Sequence, residues 1–123
     1  DRAARDRRAA RALAELGLAL DLRRLCGDLA AAQRQMVEIA RALSGEARVL
    51  ILDEPTASLT RTEQEALFAV LRRLRERIGI FYISHRLDEI VDLADVVTVL
   101  REGRDVARFA RGGFDHRALV EAM

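Results

Sequence analysis

Between residues 49 and 83 two short apolar runs flank one helical pattern, and few folds accept that order. Val49 to Leu52 is continuously apolar, and so is Ile80 to Ile83. Runs of this length predict strands buried on both faces, as in parallel sheets. Between them Leu67, Val70, Leu71, Leu74 and Ile78 recur at helical spacing, and Thr60 with Glu63 predicts a capping box at the helix start. Strand, amphipathic helix, strand is a βαβ crossover, which makes the two strands parallel. At 123 residues and 50% hydrophobic, the chain has enough material for one domain with a core.

The flanking segments extend this α/β reading. Residues 2 to 16 are alanine-rich, with Ala9, Leu13 and Leu16 on one helical stripe. "GLALDLRRLCG" reads as a connector. Asp28 is the expected N-cap of a second helix, in which Leu29, Ala32, Met36, Ile39, Ala40 and Leu43 repeat before Ser44-Gly45. Downstream, a short helix around Asp88 to Leu93 leads to a third strand, Val96 to Leu100. "REGR" then turns the chain at Gly103 onto Val106 to Phe109, and a last helix begins near Asp115. A helical segment, 1–45, thus precedes an α/β segment, 46–123.

Ligands of parallel α/β sheets bind at the carboxyl ends of the strands. The first strand ends in "DEPTASLT": Asp53 and Glu54 are adjacent carboxylates followed by a proline. A hard cation such as Mg²⁺ takes one or two carboxylates plus phosphate and water oxygens, and a carboxylate beside it suits a general base. Asp53-Glu54 fits both needs, and equally fits a pair of ordinary strand-end acids. "FYISHR" puts Ser84 and His85 at the end of the second strand, where an imidazole could meet a terminal phosphate or be a surface group. "LAAAQ", Leu29 to Gln33, opens a helix with small residues. Such a start lets an anion approach the unpaired amides, and it is also what any alanine-rich amphipathic helix looks like.

Taken together, these segments resemble the ATP-binding cassette of ABC transporters. "LAAAQ" is similar to the LSGGQ signature, "RVLILDEP" to Walker B with its catalytic glutamate, "TASLT" to the D-loop and "ISHR" to the switch-histidine loop. Within the family, "AQRQMVEIARALSGEARVLILDEPTASLT" is most similar to the first cassette of bacterial monosaccharide-import ATPases. The resemblance implies a partial P-loop NTPase fold: a parallel sheet with flanking helices behind an amino-terminal piece of the helical signature subdomain. It implies ATP and Mg²⁺ as cofactors. Asp53 would hold the metal through water, with Glu54 and His85 as catalytic groups at the hydrolytic water and the γ-phosphate. Leu29, Ala30, Ala31, Ala32 and Gln33 would press on ATP held by a second cassette, and Ser58, Leu59 and Thr60 would cross the interface between the two. Residues 1–45 would contact a transmembrane permease, with a periplasmic sugar-binding protein acting indirectly. The location implied is peripheral, on the cytoplasmic face of the bacterial inner membrane.

Three departures qualify that implication. The signature serine and glycines are Ala30, Ala31 and Ala32, so no hydroxyl is present for a γ-phosphate; this predicts a weak or regulatory site. The D-loop aspartate is replaced by Thr60. A phosphate-cradling loop needs GxxxxGK[ST], yet all 21 basic residues are arginine and no such loop occurs. The expectation is therefore the carboxyl-terminal part of a cassette, inactive alone and binding ATP poorly. An unpaired apolar sheet edge would make it self-associate. The start at Asp1, without an initiator methionine, fits an excised piece, and tag removal or processing would give the same start. The alternatives are a non-catalytic half-cassette acting as an interaction module on a membrane subunit, and a soluble ABC ATPase.

Other classes are disfavoured by composition. A formal net charge of +1 and 4% aromatic residues provide neither a basic field nor stacking platforms for nucleic acid. Arg2, Arg5, Arg7, Arg8 and Arg11 are interleaved with Asp1, Asp6 and Glu15, which reads as a solvated helix face. No apolar run approaches a bilayer span, and one cysteine, Cys26, precludes an internal disulfide; a soluble intracellular chain is expected.

Overall fold

A computed structural model describes residues 1–45 and 47–123; the expected boundary at residue 46 falls on the one residue outside that description. The chain forms two compact units, Asp1–Phe81 and Tyr82–Met123.

In the first unit, α1 (Arg2–Glu15) is capped by Asp1, whose carboxylate accepts the Ala3 N–H at 3.0 Å. It ends where Gly17 enters the left-handed region, φ 75°. The Leu18 N–H then bonds the Leu13 carbonyl and the Gly17 N–H that of Ala14, both at 2.9 Å. This is a Schellman ending, which a residue without Cβ adopts most readily. A 3₁₀ turn, Cys26–Asp28, precedes α2 (Ala31–Ser44). Asp28 therefore does not cap α2 as its sequence position suggested. The N-cap is Ala30, which has no side-chain acceptor, and the Gln33 Oε1 atom instead accepts the Ala30 N–H at 3.1 Å. α1 packs on α2, and α2 on α3 (Arg61–Leu74). Ala12, Leu13, Met36, Ile39, Leu67 and Leu71 are among the buried apolar residues of these helices. The α3 stripe is as expected, widened by buried Phe68; Ile78 lies beyond the helix end.

Strands β1 (Val49–Asp53) and β2 (Gly79–Ile83) are hydrogen-bonded neighbours. The Gly79 N–H donates to the Arg48 carbonyl at 2.9 Å, pairing the starts of both strands, which is the parallel arrangement that the crossover predicts. Burial on both faces does not hold. Along β1, Leu50 and Leu52 are buried, while Val49 is 51% and Ile51 66% exposed; Phe81 of β2 is 65% exposed. Side chains alternate across a strand, so one side faces the helices and the other faces solvent.

The second unit is built on a hairpin. β3 (Val96–Arg101) and β4 (Arg104–Ala110) pair antiparallel as their own two-stranded sheet. Glu102 and Gly103 join them with φ of 52° and 74°, the two left-handed residues that a tight primed turn requires. Val99 of β3, Ile90 of α4 (Leu87–Leu93) and Leu119 of α5 (His116–Ala122) form its core. Tyr82, Val97 and Phe109 pack around them. Asp115 caps α5, accepting the Ala118 N–H at 2.8 Å.

Candidate functional site

The β1 strand delivers Asp53 at its last position, on the solvent side with Val49 and Ile51. With Gln35 and Glu38 of α2, Asp53 borders a cleft of about 280 Å³, which leaves its carboxylate open to solvent and solutes. Glu54 follows in the left-handed region, φ 47°, and directly precedes a proline. That geometry is uncommon for any residue with a Cβ and swings the chain sharply away from the strand. Pro55 and Thr56 are buried behind it, and two turns close the loop: Ala57 N–H to the Glu54 carbonyl at 3.2 Å, and Leu59 N–H to that of Thr56 at 3.1 Å.

Ser58 and Leu59 run along this loop into Thr60, which caps α3. Its hydroxyl accepts the Glu63 N–H at 3.4 Å, and the Glu63 carboxylate accepts both the Thr60 N–H, at 2.9 Å, and its hydroxyl, at 2.8 Å. These bonds hold the Glu63 carboxyl below its ordinary range, the Thr60 backbone N–H contributing most and the hydroxyl next. Thr60 is thus a structural cap, as the sequence indicated.

At the start of α2, Leu29 is buried and Ala30 exposed. The Arg34 guanidinium donates to the Leu29 carbonyl at 2.7 Å, and the Arg34 N–H to that of Ala30 at 3.0 Å. The amides of Ala31, Ala32 and Gln33 lie in the first helical turn, ahead of any i−4 carbonyl within the helix. Backbone amides at such a helix start can donate to an anion oxygen.

His85 lies in the second unit, just after β2, and is exposed. Sequence reasoning missed its neighbour Glu89, which is 1% exposed and accepts from the Tyr82 hydroxyl at 2.7 Å. The signal was present: a tyrosine in an apolar strand needs a partner for its hydroxyl.

Among the described residues, no group of three or more His, Cys, Asp or Glu side chains is arranged to hold a metal ion. The donor set fits the other kind of Mg²⁺ site, in which one carboxylate and water complete a shell made largely by phosphate oxygens. Asp53 is an exposed carboxylate of that kind. No described helix is long and apolar enough to cross a membrane.

Comparison with known proteins converges on one family. A protein-family model for the ABC transporter family matches residues 2–57. Over its full length the chain is 44% identical to the ribose import ATP-binding protein RbsA of Lacticaseibacillus paracasei, covering 25% of that protein. It is 51% identical, again over its full length, to ribose import ATP-binding protein RbsA 1 of Burkholderia thailandensis, covering 24%. Among solved structures, an ATP-binding cassette of an ABC transporter superposes with a TM-score of 0.80 at 26% identity, over 94% of this chain and 48% of that one. The cbiO1 protein of Clostridium perfringens, part of the cbiONQ transporter complex, gives 0.75 at 30% identity, over 86% and 43%. The chain thus spans about a quarter of the length of these curated relatives and just under half of the solved cassettes.

Proposed function

The chain belongs to the ABC transporter family of ATP-binding cassettes, and from that premise we propose that it is the carboxyl-terminal part of a cassette whose ATP hydrolysis drives monosaccharide import. The observation that carries the reading is the end of β1. An apolar strand delivers Asp53 to solvent, and the next residue, Glu54, is a carboxylate held at φ 47°. Backbone strain of this kind collects at functional sites.

In this reading residues 1–45 belong to the helical signature subdomain and residues 46–123 to the ATPase core. Asp53 would hold a Mg²⁺ ion. That ion, when bound, neutralises phosphate charge. Glu54 accepts a proton from the attacking water, and the His85 imidazole hydrogen-bonds the γ-phosphate. Leu29 to Gln33 offers first-turn amides to ATP held by a second cassette, and Ser58, Leu59 and Thr60 meet that cassette across the interface. The helical segment docks on a transmembrane permease at the cytoplasmic face of the inner membrane. A periplasmic sugar-binding protein supplies the sugar from the other side. The phosphate cradle must come from a segment other than residues 1–123, which contain neither lysine nor GxxxxGK[ST]. Support for sugar import comes from the ribose-import relatives, and for the nucleotide and metal from the family and the strand-end carboxylates.

The test is Glu54→Gln in the complete ATPase that carries this sequence. Removing a positioned general base lowers turnover by roughly 10²–10⁴-fold while Mg-ATP still binds. Undiminished turnover would overturn the assignment.

A further inference from the structure

Four residues after His85, Glu89 is enclosed in the first turn of α4 with 1% of its surface exposed. A carboxylate is kept in such a place only when strong partners surround it. The Tyr82 hydroxyl donates to its Oε2 atom at 2.7 Å, and the Ser84 hydroxyl donates to the same atom at 3.1 Å. The Arg86 guanidinium pairs with its Oε1 atom at 2.8 Å. The ring is then closed by the backbone. The Arg86 N–H donates to the Ser84 Oγ atom at 3.0 Å. The Arg86 carbonyl accepts the Glu89 N–H at 3.1 Å and the Ile90 N–H at 3.4 Å. Ser84 therefore donates its proton to Glu89 while a lone pair accepts from Arg86, using both capacities of one hydroxyl.

His85 stands between Ser84 and Arg86. Both of its chain neighbours are tied to one carboxylate, and each is tied to the other through the serine oxygen. We propose that Glu89 is a positioning residue: it fixes the Ser84–Arg86 segment so that the His85 backbone presents the imidazole in one orientation. An apolar residue would fill the same volume without the desolvation cost of a charge. What the carboxylate adds is convergence of the strand end, the residue before the histidine and the residue after it. The proposal rests on the phosphate-contacting role given to His85 above.

The experiment measures ¹⁵N relaxation and amide exchange of the chain and of its Glu89→Ala, Glu89→Gln and Ser84→Ala variants. In Glu89→Ala the His85 amide order parameter falls from about 0.85 to below about 0.6. Exchange at the Arg86 amide speeds up about tenfold or more, as for a locally opened segment. The hairpin amides of Val97 and Val99 keep their protection. Glu89→Gln, which retains an acceptor but loses the ion pair, falls between. If Glu89→Ala does not fold, Ser84→Ala decides, since it removes the hydroxyl that holds the Arg86 amide and donates to Glu89, while the Tyr82 and Arg86 side-chain contacts to Glu89 remain. An unchanged His85 order parameter overturns the proposal, and so does a loss of protection spread evenly over β3 and β4. In the complete ATPase, Glu89→Ala lowers kcat by about a hundredfold, the scale for a displaced group, with the KM for Mg-ATP unchanged. Turnover lost with His85→Ala but kept with Glu89→Ala also overturns it. Turnover kept with both removes the role of His85, and the relaxation data alone then decide the ordering.

Discussion

The peptide at Glu54 is bent where a side chain resists bending. A residue with a Cβ in the left-handed region gives up about 1–2 kcal/mol, and the following Pro55 restricts it further. The strand ahead and the buried Pro55-Thr56 pair behind impose the turn. The Glu54→Gly variant should therefore be more stable than Glu54→Ala by about 1 kcal/mol, since only glycine takes φ 47° at little steric cost. Urea midpoints of the two variants read that difference, and equal midpoints would show an unstrained turn. Ala30 raises a different point, because an N-cap without an oxygen offers the first-turn amides no side-chain acceptor, and the Gln33 side-chain carbonyl oxygen serves only the Ala30 N–H. The variant Ala30→Ser should gain about 1 kcal/mol of stability. In the complete ATPase it should also raise turnover, because the new hydroxyl faces the same amides that are proposed to meet a γ-phosphate. Unchanged turnover would mean that this signature does not limit hydrolysis. That Asp53, Glu54 and His85 stand at or just beyond strand ends was legible in the sequence, because strand ends are local features. Glu89 was not, because its burial depends on Tyr82 and Arg86 folding over it.

At the scale of elements, α3 shows how a cap reads out in pH. Thr60 and Glu63 bond reciprocally, and the Thr60 N–H and hydroxyl hold the Glu63 carboxyl below its ordinary value of 4.5. A carboxylate with a depressed folded pKa stabilises the fold above 4.5, and that stabilisation is lost as pH falls through the folded value. The gap in urea midpoint between wild type and Glu63→Ala should thus be open at pH 7 and close on acidification. A gap that stays constant with pH would show that the carboxylate charge contributes nothing to the cap. This helix was readable to its first residue, since a capping box is written in four consecutive positions. The start of α2 was misread for the opposite reason. Asp28 is a good cap by residue type, yet the 3₁₀ turn Cys26–Asp28 absorbs it and shifts the helix start to Ala31. The β1 and β2 strands were found, and their parallel pairing followed from the crossover. Their exposed side was not foreseen, because an apolar run records what a strand prefers and not which neighbours reach it.

For the whole molecule, the consequence of that exposed side is association. Val49, Ile51 and Phe81 turn outward at 51%, 66% and 65% exposure, on a sheet that among the described residues has two strands. Each strand of such a sheet has a single neighbour within it, and unpaired backbone groups beside apolar side chains are a template for another chain. The first unit's helices cover the opposite side through Leu50 and Leu52, so the open side can still gain burial. Burying what remains exposed of these three side chains would contribute on the order of 1–2 kcal/mol each, before the entropy of association is subtracted. That sum favours weak, concentration-dependent assembly over a fixed dimer. Sedimentation velocity of residues 1–123 should accordingly show species that grow with concentration. The Ile51→Arg and Phe81→Glu variants should shift the population towards monomer, because a charge on either outward position makes burial costly without touching the helix-facing residues. A single monomeric boundary for the unsubstituted chain across the concentration range would show that Val49, Ile51 and Phe81 are tolerated in water as they stand, and that the open side drives nothing.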